Sequence, residues 1–440
     1  VQLSDLPRDP APIPTETEAD GRLILHAVQT DGIVYPTAYF EADDLTEAQL
    51  PYMTVLGAAL GQLPAGGMDA QELQKQLRLK LGSLTAALSP YSQYHDPQSY
   101  RLYAAVSFCA LEARLPEAVR LTAQILTQTD FSDKTKLLEL IRQQRDDAEQ
   151  IVNSGSSAAM LRASAALNAA SACSERCAGV SYYRWLRELE QNFDARADEL
   201  IETLRALCEK LFVTARMRLS VTGNRQNAEL VLTGLREALP TGAVPGAPCQ
   251  AQLLPIRKEG IVIPSEVSFT AVCGNVHAYS GDLRIACRAA SLGHYWNEIR
   301  VQGGAYGTGL LVRETGLVSA YTYRDPDCRR SRGAIGRTAA YLEAAAASGE
   351  AQDVNIIGAI SDAEPLLSPR LQGAVADAWL LKGMTMDDRR RMRHELLDAG
   401  PASLAACAGQ IGSALDSGVV CALGPRPQLE ACGDLELQEL

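Results

Sequence analysis

The chain has 440 residues, 47% of them hydrophobic and 21% charged. That length and composition suit a globular protein of two or three domains with a large core. A formal net charge of −12 argues against a general nucleic-acid or anionic-membrane binder. No apolar run approaches the ~18 residues of a membrane-spanning helix, so neither nucleic acid nor membrane is an expected partner.

The chain opens on Val1 rather than Met, which leads us to expect an excised piece of a longer protein. Leu23 to Val28 reads as a strand, Asp31-Gly32 as a turn, and Ile33 to Phe40 as a second strand. Helices follow over about Thr46 to Leu63 and Asp69 to Lys80. Ser132 to Asn153 carries an apolar stripe of Leu137, Leu138, Leu140 and Ile141, and helical patterns continue over Ala158–Ser174, Tyr182–Phe193 and Ala195–Phe212. Cys173 and Cys177, four apart, lack the second ligand pair a zinc site needs and read as small packed thiols. Eleven scattered cysteines, an odd number, point to reduced thiols and a cytoplasmic setting.

Arg218 to Gly223 reads as a strand closing the first unit. The proline- and glycine-rich run Leu239 to Pro248 is a linker. Domain limits of 1–242 and 255–440, joined by 243–254, follow. The second unit opens with strands at Gly260–Ile263 and Val267–Cys273. A helix from Ser280 to Leu292 extends a further turn to Arg300, and Leu310–Val312 is a strand. Tyr323-Arg324-Asp325-Pro326 reads as a strand end and turn. The basic run Arg389 to Arg393, flanked by Asp387, Asp388 and Glu395, reads as a solvated helix face, and Gly418 to Gly424 is a closing strand.

The two units read alike. An offset of 222 residues lays Arg78 under Arg300 and Leu84 under Tyr306, a period that means a duplicated domain and not a solenoid. The expected fold class is therefore α+β: two homologous domains, each a mainly antiparallel sheet covered by helices. The repeat fails where it is most informative, because Leu84 replaces the tyrosine and Leu81 replaces one glycine.

The segment from His294 to Gly309 carries the most chemical information. It sets Arg300 and Tyr306 on either side of Gly303-Gly304. Glycines let the backbone pass close to a neighbour, and a guanidinium with a phenol can bind a peptide carbonyl more strongly as it becomes an oxyanion. The spacing is not that of a phosphate loop: no Gly-Lys-Ser/Thr follows and no G-x-G-x-x-G fits. The five histidines (His26, His95, His277, His294, His394) include no pair at zinc-ligand spacing, so no metal site is expected in this chain.

Glu298-Ile299-Arg300 through Gly307, Tyr323-Arg324-Asp325-Pro326, Ala422-Leu423-Gly424-Pro425 and Thr30 to Tyr35 together resemble the C-terminal half of the presequence-protease branch of the pitrilysin/insulinase superfamily of zinc peptidases. The resemblance covers nearly the whole chain. It implies pitrilysin-type third and fourth domains, with zinc held through H-x-x-E-H by an N-terminal half, on the same chain or a separate subunit. It also implies unfolded peptides as substrates, enclosed in a chamber. Arg300 and Tyr306 would make the substrate-carbonyl contacts, with Gly303, Gly304 and Ala305 beside the substrate, and this half would be inactive alone. The alternatives are a separate non-catalytic subunit and a non-enzymatic scaffold or peptide-binding protein.

Overall fold

A computed structural model describes residues 2–18 and 20–440. Twelve strands form two sheets among these residues. The first contains β1 (Glu16–Thr17), β2 (Leu23–His26), β3 (Ile33–Glu41), β4 (Ser83–Ser92), β5 (Tyr100–Leu111) and β6 (Met217–Thr222) in the order β1-β2-β6-β3-β5-β4. The second contains β7 (Lys258–Val262), β8 (Phe269–Asn275), β9 (Gly307–Val312), β10 (Leu317–Tyr323), β11 (Val419–Gly424) and β12 (Glu436–Glu439) in the order β12-β7-β11-β8-β10-β9.

The two sheets share one plan. β2 runs parallel to β6, which pairs antiparallel with β3, then β5, then β4. β7 likewise runs parallel to β11, and the ladder continues antiparallel through β8, β10 and β9. Only the outermost strands differ: β1 is antiparallel to its neighbour and β12 is parallel. The fold is α+β with two mainly antiparallel sheets.

Side-chain alternation shows what covers each face. On β5, Leu102, Ala104, Val106 and Phe108 enter the main core beside Val34 and Phe40 of β3. That core includes the helices Leu50–Ala59, Leu115–Gln128 and Arg225–Ala238. The opposite face carries Tyr39 and Tyr103, which pack with Leu381 of the helix Pro369–Leu381. The second sheet is apolar on both faces. Phe269, Ala271 and Cys273 of β8, with Cys421 and Leu423 of β11, join the first unit's core. Val272, Val420, Val318 and Ala320 instead face the second unit's own helices, Gly281–Ala289 and Pro401–Asp416.

The cover on the first of those faces is the helix Ser156–Ser164, contributed by the first unit. Ser156 Oγ donates to the Thr322 carbonyl at 3.1 Å, and the Leu254 amide donates to the Ala165 carbonyl at 3.0 Å. Gly155, at φ +80°, starts this helix against the Phe269 ring; a Cβ there would lie 1.9 Å from Phe269 Cγ. The helix Pro369–Leu381 makes the reciprocal crossing. Asp377 accepts from Tyr39 Oη at 3.0 Å and lies 2.8 Å from His26 Nε2. The linker is held along the first unit: the amide of Cys249 donates to the Asp43 carbonyl at 2.6 Å, and that of Ala251 donates to Tyr100 Oη at 3.0 Å.

The helical reading needs three adjustments. The pattern over Ala158–Ser174 is two helices, Ser156–Ser164 and Ala169–Ala178, because Asn168 caps the second by accepting from the Ser171 amide at 3.0 Å. The helix reaching Arg300 is α-helical over Gly281–Ala289 and π-helical over Ala290–Val301. The run Arg389 to Arg393 is not a uniformly solvated face. Arg393 is buried, with Nη1 2.5 Å from Glu364, and Arg389 stacks 3.4 Å above the Trp379 ring centroid.

One buried ion cluster bridges the units. Arg162, on the crossing helix, donates in a fork to Glu259 of β7 at 2.8 and 3.0 Å and to Glu175 at 3.1 Å. Burial pushes the Glu175 carboxyl above its usual range, opposed by Arg162. Arg162→Met should therefore cost about 3–5 kcal/mol in urea unfolding, because two buried carboxylates lose their cation. Glu175→Gln keeps an acceptor for Arg162 and should cost much less. A loss from Arg162→Met below about 1 kcal/mol would show that the cluster does not hold the units together.

Candidate functional site

The π-helix Ala290–Val301 is the local basis of the site. Its register rests on tertiary contacts. His294 Nε2 lies 2.8 Å from the Ala334 carbonyl, and its ring stacks on Tyr341 at 5.2 Å. The fully buried Tyr295 shares a 2.7 Å hydrogen bond with Thr338, and Gly293 leaves room for Tyr341 Oη, which a Cβ would meet at 1.8 Å. His294 is thus a core residue. π-helical segments are rare and occur frequently at functional sites.

At the end of this helix Arg300 lies over Trp296, with Cζ 3.9 Å from the ring centroid. Its Cζ is also 6.0 Å from the Tyr306 ring. Among the described residues no carboxylate lies within salt-bridge distance of Arg300, and the nearby Glu298 is engaged by Arg337 at 3.2 Å. Trp296 was not singled out in the sequence, although its position four residues before Arg300 on a helix was the available signal.

The double glycine turns the chain from helix to strand. The Gly304 amide donates to the Arg300 carbonyl at 3.0 Å, and the Ala305 amide to the Ile299 carbonyl at 3.2 Å. The Tyr306 amide donates to the Tyr323 carbonyl at 3.1 Å. Gly303 is close-packed, since a Cβ would lie 2.4 Å from the Ile299 oxygen, and Gly304 needs its φ of +82°. Ala305 is buried. The amides of Gly304, Ala305 and Tyr306 are therefore engaged inside the chain, and what these residues visibly supply is the turn that delivers Tyr306.

Tyr306 is 69% exposed, and its hydroxyl makes no hydrogen bond among the described residues. Its ring meets Tyr323 edge-on, with centroids 6.0 Å apart. Behind it Arg324 adopts φ +51°. The neighbouring Asp325 is buried and exchanges backbone hydrogen bonds with Ser268, both at 2.8 Å. Tyr323 to Pro326 is thus the buttress of the Tyr306 turn. Trp296, under Arg300, and Val301, next to it in the chain, are exposed as well, so the edge carries apolar surface beside the cation.

Two other features lie apart from this edge. A cleft of about 500 Å³ opens between the two units, lined by Ser92, Asn168, Arg313, Glu314 and Lys382 among others; neither Arg300 nor Tyr306 lines it. Among the described residues no group of three or more His, Cys, Asp or Glu could hold a metal ion. The described side chains therefore do not fit a zinc site.

Comparison with known proteins fits this arrangement. The profile of the family associated with subfamily C of the M16 peptidases matches residues 1–189, and that of the "PreP C-terminal domain" matches residues 258–419. Protein HypA of Clostridium perfringens is 24% identical over 99% of this chain and 45% of its own length. Presequence protease 1 of Arabidopsis thaliana is 24% identical over 99% of this chain and 41% of its own. The chain thus spans less than half the length of these relatives. The peptidase M16 inactive domain from Pseudomonas fluorescens superposes with a TM-score of 0.61 at 14% identity, covering 94% of this chain and 98% of that one. The periplasmic protease PqqL of Escherichia coli superposes with a TM-score of 0.61 at 12% identity, covering 94% of this chain and 45% of that one. The chain belongs to the presequence-protease branch of the pitrilysin (M16) superfamily and corresponds to its C-terminal half.

The geometry ranks the two glycines. Gly304→Ala should cost about 1–2 kcal/mol, the penalty of a left-handed alanine, because its Cβ would meet only Pro326 Cγ at 3.5 Å. Gly303→Ala should cost more, since the Ile299 carbonyl must move and release the Ala305 amide. Urea unfolding of both variants gives the order directly, and the reverse order would contradict this account of the turn.

Proposed function

We propose that this chain is the non-zinc half of a zinc metalloendopeptidase that degrades unfolded peptides, and that Arg300 and Tyr306 bind the substrate backbone at the scissile bond. The observation that carries the reading is the pairing of a cation without a carboxylate partner and an exposed phenol without a hydrogen bond among the described residues. They sit six residues apart on one edge that also bears the exposed Trp296.

The chemistry follows from the donors. The Arg300 guanidinium, oriented by Trp296, presents its N–H groups to a peptide carbonyl. The Tyr306 hydroxyl donates to the same carbonyl oxygen, and its hydrogen bond strengthens as that oxygen gains negative charge. Gly304, exposed and without a Cβ, lets an extended peptide approach the turn. The exposed apolar surface of Trp296 and Val301 beside Arg300 would close against the opposite half and exclude water. In this reading zinc belongs to the N-terminal half, and a chamber between the halves admits only chains that are already unfolded.

The test uses the enzyme reconstituted with its zinc-bearing half, on an unstructured fluorogenic peptide. Tyr306→Phe should lower kcat roughly a hundredfold, about 3 kcal/mol, with KM little changed, because the lost bond acts mainly in the transition state. Arg300→Ala should cost at least as much and also raise KM. The isolated chain should not hydrolyse the peptide. Full turnover by a folded Tyr306→Phe enzyme would return Tyr306 to a packing role.

A further inference from the structure

A second reactive arrangement follows the buttress in the chain and is independent of the proposed roles of Arg300 and Tyr306. Cys328 is the first residue of the helix Cys328–Ile335, and Cys432 directly follows the helix Arg426–Ala431. Although 104 residues apart in sequence, their sulfurs lie 2.7 Å apart, and both are free thiols. Both approach the same acceptor, the Gln428 carbonyl, at 3.4 Å from Cys328 Sγ and 3.7 Å from Cys432 Sγ.

The two thiols differ in environment. Cys328 is buried and Cys432 only partly so. Arg332, one helical turn beyond Cys328, sits against Cys432 and forks onto Asp434 at 2.5 and 2.7 Å; Lys258 reaches Asp434 at 3.0 Å. The hydrogen bond from Cys328, helped by the Arg332 guanidinium, lowers the Cys432 thiol to about 7 against the opposing effect of burial. The Cys328 thiol is held above its usual range by the Cys432 sulfur and by burial.

We propose that Cys328 and Cys432 are a redox-active dithiol, in which Cys432 is the site of attack on small disulfides and Cys328 resolves the adduct. With glutathione disulfide as oxidant, the Cys432 thiolate attacks one sulfur, forming a mixed disulfide. The glutathione S–S bond breaks, and one glutathione leaves as a thiolate that takes up a proton. The Cys432 sulfur now carries no charge, so it no longer holds up the Cys328 proton. Cys328 loses that proton to the second departing glutathione as its sulfur attacks the Cys432 sulfur. Two protein thiols are oxidised to one disulfide, and one glutathione disulfide is reduced to two glutathiones.

The bond would tie the C-terminal segment, whose β12 is an edge strand, to the helix that follows the Tyr323–Pro326 buttress. The other cysteines offer no such partnership with an exposed thiol. Cys109 and Cys249 are partly exposed, but neither lies against a second thiol, and Cys173 and Cys177 are both buried.

The test is to incubate the folded chain with glutathione disulfide near pH 7.5, trap the remaining thiols with an alkylating agent and map the peptides. The expected product is a Cys328–Cys432 disulfide with no retained glutathione, reversed by dithiothreitol. Closing so long a loop should raise the melting temperature of the oxidised form by several degrees, roughly 5 °C or more. Cys328→Ser should stop at a stable glutathione adduct on Cys432, and Cys432→Ser should leave Cys328 at least tenfold slower to react. A glutathione adduct that persists on wild-type Cys432, or oxidation confined to other cysteines, would overturn the proposal. The wild-type map decides this even where a serine variant folds poorly.

Discussion

The second sheet cannot bury itself, and much of the architecture follows from that. Alternate residues of β8 and β11 are apolar on both faces: Ala271 and Cys421 on one, Val272 and Val420 on the other. Exposing either face would leave a large apolar surface in water, at ~25 cal/mol for each Å². The second unit's own helices cover only one side. The helix Ser156–Ser164 of the first unit covers the other, and its tolerance for a close fit is small, as Gly155 against Phe269 shows. One apolar core therefore spans both units on that face of the second sheet, while the second unit's helices pack a separate core on its other face.

The first sheet solved the same problem differently. Its outward face is polar and aromatic, with Thr37 bonded to Ser107 at 2.9 Å and a tyrosine cluster of Tyr39, Tyr91 and Tyr103. It needs only the partial cover of the helix Pro369–Leu381. The divergence extends to the turn before the edge strand. Leu84 packs towards the core at the start of β4, and Arg78 ends a regular α-helix. In the second copy the corresponding helix is π-helical, the turn gains a second glycine, and Tyr306 stands exposed. In the first copy the equivalent position is taken up by packing; in the second it is free to meet a partner.

Strands such as Ile33–Glu41 and Val419–Gly424 were legible because β-branched runs bounded by glycine and turn residues have few other uses, and Arg300 and Tyr306 stood out because two glycines separate them. The long pair Ser83–Ser92 and Tyr100–Leu111, rich in alanine and serine, was not read as strands. What stayed hidden depends on distant residues. Nothing local marks Ala290–Val301 as π-helical, because its register is set by Ala334, Thr338 and Tyr341. The split at Asn168 is fixed in part by its bond to the Pro97 carbonyl at 3.0 Å. Arg393 looked solvated among charges, yet the carbonyl of Pro7, at 2.8 Å, and Glu364 take it into the interior. Most of the helices between Cys328 and Asp416 escaped the reading, since alanine-rich stretches such as Thr338–Ser348 carry little amphipathic contrast.

The way Arg300 is held bears on what it can do. A carboxylate partner would orient the guanidinium but occupy its donors, and a bound peptide would have to displace that partner and break an ion pair. An aromatic platform orients the same group through its π face and leaves the in-plane N–H donors open to a ligand. Regular α-helical geometry would still leave Trp296 and Arg300 neighbours, four residues apart, but over the 12 residues of the helix it would turn the pair to a different azimuth relative to Tyr306. The π register is maintained by buried contacts of His294 and Tyr295 that never touch the edge itself. It is through those contacts that one cation stays both fixed and uncommitted.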